Sequence, residues 1–392
     1  MRQWQGPAVL GHGFRPFFLM AGLWATLAMA IWVAALSGAT PFPLAFAASD
    51  WHGHAFVFGY VSSVFAGFLL TAVPNWTGRL PVVGWPLAGL AALWIAGRIA
   101  TVFGGAWPWK LVLLADLSLP VALIGFLGRE IVAGRNWRNL PVLGILCLFA
   151  VANGVFHLAA AQSADPRFGL RLGLAATLLM IALIGGRIVP SFTRNWLAAR
   201  RAKRLPVPFG RADGLVMAMT VLALGGFVLA PEAQVTGVLS LLAGAANLWR
   251  LSRWQGLATG AEPLVWVLHL AYLGLALGFV MIGLAGFGLV PQSGALHVWL
   301  VGAVGMMTLA VMTRASLGHA GLPLQASKAV TSLYLALVLA IPVRLAAGLR
   351  PDLGWLLDIA ALLWIAAFGG FFLIYAPILL RKRQATKTAR KP

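Results

Sequence analysis

Runs of about twenty apolar residues recur along the whole chain, separated by short segments rich in Pro, Gly and basic side chains. A helix needs about 20 apolar residues to cross the hydrocarbon core of a bilayer. The runs lie near 17–37, 52–73, 84–104, 109–128, 140–161, 170–190, 213–230, 234–250, 263–287, 295–314, 328–347 and 354–380. They fill the 392 residues and leave no room for a soluble domain. The expected fold is all-α: a polytopic membrane helix bundle of about twelve transmembrane helices, forming a single integral membrane domain over 1–392. Composition agrees, with 61% hydrophobic residues, 10% charged residues and a mean hydropathy of +0.89, far from a soluble globular domain.

The formal net charge of +20 raises the question of a nucleic-acid partner. The basic residues fall mostly in loops on one side once the N-terminus is placed inside, which is what orientation in a bilayer requires. Only Arg98, Lys110, Arg167, Arg171, Arg344 and Arg350 then lie outside. Both termini are therefore expected to be cytoplasmic, with no nucleic acid involved. The loop 191–211 and the tail 381–392 read as basic cytoplasmic segments facing anionic headgroups, the loop dividing the chain into two six-helix halves. A weaker pattern competes with that division. Val73-Pro74-Asn75-Trp76-Thr77, Val189-Pro190-Ser191-Phe192-Thr193-Arg194 and Thr313-Arg314 end the second, sixth and tenth runs, a spacing of four helices. Ala45-Phe46-Ala47 looks like a cleavage site, but the apolar stretch Phe17 to Leu36 is too long for a signal peptide and reads as a retained first helix. The single cysteine, Cys147, excludes an intrachain disulfide, and the 17 tryptophans are accounted for as interfacial anchors.

Chemistry is carried by the histidines. Imidazole is a common ligand for haem iron and copper, and Trp51-His52-Gly53-His54 sets two of them where a long uncharged run meets water. The topology puts His52, His54, His157 and His297 near the outer ends of their helices. His12, His269 and His319 form an inner set that could make a three-nitrogen copper site, although His12 and His319 can equally be interfacial residues. Four histidines at one depth favour a function over packing, since ionisable groups in membrane segments are costly. Residues two apart on a helix point about 200° from each other, so His52 and His54 are expected to play different roles. One histidine of the second run opposite His297 could grip haem iron from both faces, or one could bind alone and leave an open site for a diatomic gas. Among the few buried charges, Asp116 and Asp358 face the spans as polar contacts or ion pairs. Arg187, with Arg15, Arg194 and Arg314 at similar depth, could bind an anion such as a haem propionate.

Several blocks carry a family resemblance: Gly13-Phe14-Arg15-Pro16-Phe17-Phe18, Trp51-His52-Gly53-His54, the Gly67-to-Gly78 segment, the Gly185-to-Asn195 segment, and Thr313-Arg314-Ala315-Ser316-Leu317-Gly318-His319. In these the chain strongly resembles the NnrS family. The resemblance implies a twelve-helix protein of the bacterial inner membrane, associated with denitrification and nitrosative stress, with haem (taken as b-type) and copper as cofactors. It carries His52, His54, His157, His269, His297 and His319 over as matched positions. The family pattern leads us to expect an acidic residue after the second histidine, where this chain has Ala55.

Together these point to a haem–copper membrane protein that protects against nitric oxide by binding or converting it, possessing at most a nitric-oxide-metabolising oxidoreductase activity whose electron donor is unknown. Nitric oxide is apolar and enters bilayers, so a site inside a bundle needs no polar channel. The rivals are a secondary transporter, which lacks intramembrane carboxylates here, and a sensor or assembly factor handling haem, copper or an iron–nitrosyl species.

Overall fold

The computed structural model describes residues 4–39 and 42–381, among which there are helices and no strands. Arg2 and the tail beyond Arg381, read above as inner-side charge, lie outside the described residues. Twelve long helices follow one another: α1 Phe14–Leu36, α2 Ala48–Thr77, α3 Trp85–Phe103, α4 Trp109–Ala133, α5 Leu140–Ala161, α6 Arg167–Ala199, α7 Arg211–Leu229, α8 Gln234–Ser252, α9 Pro263–Gly286, α10 Gln292–Ala320, α11 Lys328–Leu349 and α12 Trp355–Leu380. Among the described residues, eleven are long and apolar enough to cross a membrane; α8 matches them in length but holds Gln234, Asn247 and Arg250.

Local signals set the ends. Gly78 (φ 69°) and Gly321 (φ 75°) close α2 and α10 in the left-handed region that a side chain would disfavour. The Glu262 carboxylate accepts the N–H of Leu264 to open α9, with Pro263 in its first turn. Pro190 does not end α6, contrary to the reading of 191–211 as one loop: the helix runs on to Ala199 because Thr193 and Leu197 are buried, and the connection shortens to 200–210.

The spacing of four helices recurs in three dimensions. The second, sixth and tenth helices are the longest, at 30, 33 and 29 residues, and the most buried, at 78, 72 and 78% against 28–67% for the other spans. Each carries a π-helical stretch, at Ala55–Tyr60, Ile181–Gly185 and Val298–Gly305. Units of four close on one another through α4 against α5, α8 against α9, and α12 against α1. The bundle is therefore organised as three fours around three central helices, not as two sixes divided at the basic loop.

Candidate functional site

A π turn widens a helix by one residue and leaves carbonyls without their usual partners. In α2 those of Ala55 and Gly59 are taken up from outside, by the indole N–H groups of Trp24 (2.9 Å) and Trp94 (3.0 Å). Gly59 also lets the Arg98 guanidinium lie directly against the helix backbone, where any Cβ would collide with it. This clamp fixes the rotation of the turn Ala48–His54 just before it, and with it the two histidines.

His54 points into the protein and is fully buried. Its Nε2 lies 3.0 Å from Asp116 Oδ2 and 3.0 Å from Asn153 Oδ1; both are acceptors, so Nε2 carries the proton. The same Oδ2 accepts from Asn153 Nδ2 at 2.7 Å and from His157 Nε2 at 3.1 Å, while Oδ1 accepts from Arg98. Phe46, Phe58 and Phe156 pack around the His54 ring. Among the described residues, His54, Asp116 and His157 are the one group of three whose ligand atoms lie close enough together to hold a metal ion.

His52 points elsewhere. Its ring stacks on Trp32 with centroids 4.4 Å apart, and its Nδ1 is buried without a hydrogen-bond partner. Together with His297, Met29, Val301 and Trp364 it lines two adjoining cavities. One, of about 310 Å³, lies between α2, α6 and α10 and includes Tyr60, Thr177, Arg167 and Arg171. The other, of about 270 Å³, lies towards α1, α11 and α12 and includes Arg344 and Asp358. His297 Nδ1 donates to the Ser293 carbonyl at 2.7 Å, which leaves Nε2 as its ligating nitrogen. At the rim of the first cavity Arg167 bonds Asp165, and this holds that carboxyl below its ordinary range.

The four outer histidines are thus split two and two, with His52 and His297 on the cavities and His54 and His157 on the Asp116 group. The inner set does not assemble as three. The rings of His12 and His319 lie 6.4 Å apart, whereas His269 Nε2 meets Thr193 Oγ1 at 2.8 Å. Arg15 binds the carbonyls of Leu379 and Arg381, Arg187 binds Asn139 Oδ1, and Arg314 lies over the Phe192 ring, so these three hold helix ends away from the cavities. Arg194 does not line either cavity. The guanidinium groups that do are Arg167, Arg171 and Arg344, which topology had already placed at the outer level with His52 and His297. Arg98, read as an outer-side charge, is buried: Nη2 pairs with Asp116 and the guanidinium lies over the Trp24 and Trp94 rings, while Nε and Nη1 have no hydrogen-bond partner.

The fold and the site define a polytopic membrane helix bundle with a buried histidine–carboxylate group beside a histidine-walled cavity. The family model described as NnrS protein matches residues 8–383, nearly the whole chain, and the chain belongs to this family. No curated protein matches it.

Proposed function

We propose that this is a multi-pass protein of the bacterial inner membrane that lowers the toxicity of nitric oxide by binding or converting it at a histidine-ligated metal. The observation that carries this is the split of Trp51-His52-Gly53-His54 between two unlike sites. His52 and His297 suit haem. Each has a ring nitrogen available and both stand on the walls shared by two cavities, so these are the residues that would hold the haem iron. Arg167, Arg171 and Arg344 supply guanidinium groups for its propionates. His54, His157 and Asp116 offer the nitrogen and oxygen donors that suit copper. A ring ligating through Nε2 carries its proton on Nδ1, and His54 Nδ1 has no partner to prevent this. Bound haem and copper would supply the coordination and redox chemistry that a diatomic gas requires.

The protein's own part is to orient and to exclude water. Arg98 and Asn153 hold Asp116 in place, Ser293 sets the His297 tautomer, Trp32 fixes the His52 ring plane, and the apolar walls admit a gas that dissolves in the bilayer. Protein purified after expression with ample haem and copper should show a Soret band and bound copper. His52→Ala or His297→Ala should abolish or shift the band and leave copper in place. His54→Ala or His157→Ala should do the reverse. Absence of both cofactors, or loss of the band in His54→Ala alone, overturns the assignment. Anaerobic gas analysis with a reductant then separates turnover of nitric oxide from binding.

A further inference from the structure

A third cavity, of about 710 Å³, opens at the end of α2 remote from His52 and His54, where the α2–α3 connection meets the last turns of α4. Leu80, Val82, Leu90 and Phe126 give it apolar walls. At its edge Glu130, 3% exposed, pairs with two arginines: Arg79, and Arg129 at 2.8 Å. One carboxylate cannot neutralise two guanidinium groups, so the cluster keeps a net positive charge. Both arginines retain donors that reach outward, their side chains being 43 and 67% exposed, and Arg129 is steadied over the Phe126 ring at 5.4 Å. Trp85 stands exposed beside the same loop, as an indole does at headgroup level.

We propose that this cavity is a binding site for one anionic phospholipid, its phosphate on Arg79 and Arg129 and an acyl chain along Leu90 and Phe126. A guanidinium pair recognises a phosphate oxygen by charge-assisted hydrogen bonds. A soluble phosphate would use the same arginines but gains nothing from the apolar walls, which is why the lipid is favoured.

The test is native mass spectrometry of the delipidated full-length protein, titrated with phosphatidylglycerol or phosphatidylcholine. Phosphatidylglycerol should bind more tightly. Arg129→Gln, which leaves Glu130 paired with Arg79, should weaken it roughly fivefold, and Arg79→Gln/Arg129→Gln/Glu130→Gln, which leaves no buried charge unpaired and removes both donors, at least as much. The control Arg200→Gln/Arg204→Gln, in the basic 200–210 connection, should leave the affinity unchanged. Equal binding of the two lipids, undiminished binding by the triple variant, or displacement of the lipid by millimolar inorganic phosphate would overturn the proposal, the last by revealing a soluble-anion site.

Discussion

Asp116 is the residue on which the buried group depends, since a single carboxylate accepts hydrogen bonds from Arg98, Asn153, His54 and His157. In a low-dielectric interior this arrangement is stable only while both charges are present. Breaking a buried ion pair from one side costs about 3–5 kcal/mol, because the other charge stays unpaired, whereas removing both is far less damaging. Asp116→Asn should therefore lower the thermal unfolding midpoint in detergent markedly, and Arg98→Met combined with Asp116→Asn should recover much of the loss. Gly59 is coupled to the same network by contact. Gly59→Ala would push the guanidinium off the helix, so copper content should fall in this variant although no ligand has been altered. A variant that keeps full copper content would show that Arg98 does not position Asp116.

At the scale of elements, the π stretch in α2 governs where the histidines point. An alanine inserted between His54 and Ala55, one residue more than the π turn absorbs, would rotate Ala48–His54 by about 100°, carrying His52 off the cavity wall and His54 off Asp116. Both cofactors should be lost together, an outcome that no single histidine substitution produces. Trp94→Phe is the gentler probe: it removes one of two donors to the Gly59 carbonyl, the Ser62 hydroxyl remaining at 2.9 Å, at a cost of about 1 kcal/mol, and should broaden or shift the Soret band without abolishing it. These stretches were not legible in the sequence, because Trp24 and Trp94, which hold the α2 turn open, read as two more interfacial anchors. The helices themselves were legible, since an unbroken apolar run is sufficient to specify a membrane helix. So was the divergence of His52 from His54, which follows from two-residue spacing alone. Asp116 stood out as a buried acid, but nothing in the order of residues joined it to His54 and His157, because the three come from α4, α2 and α5. The arginines at the cavities were passed over for Arg15, Arg187, Arg194 and Arg314, whose conspicuous motifs lie at the other ends of the helices.

For the whole molecule, orientation depends on whether α8 crosses. Its composition is the least apolar of the twelve, yet the two polar groups within its second half are directed inward: Arg250 bonds Asp213 and Tyr272, and Asn247 bonds Thr220 and accepts from Tyr272. Satisfied in this way they are spared contact with lipid, and a helix of 19 residues paired with α7 and α9 is long enough to span. α7 alone puts the α7–α8 turn at Pro231 and Glu232 on the same side as the His52 end of α2; if α8 crosses, the segment near Ala258 returns to the side of the 200–210 connection. The first placement agrees with Glu232 lining the same cavity as His52 and His297. A helix lying flat on the surface would instead invert everything downstream and put His297 on the opposite side from His52, which their shared cavities forbid. Reporter fusions make the point measurable. With the N-terminus inside, fusions near 205 and 258 should report the cytoplasm, and those near 164, 232 and 289 the periplasm; a cytoplasmic signal at 289 would refute a spanning α8 and the inward placement of both termini.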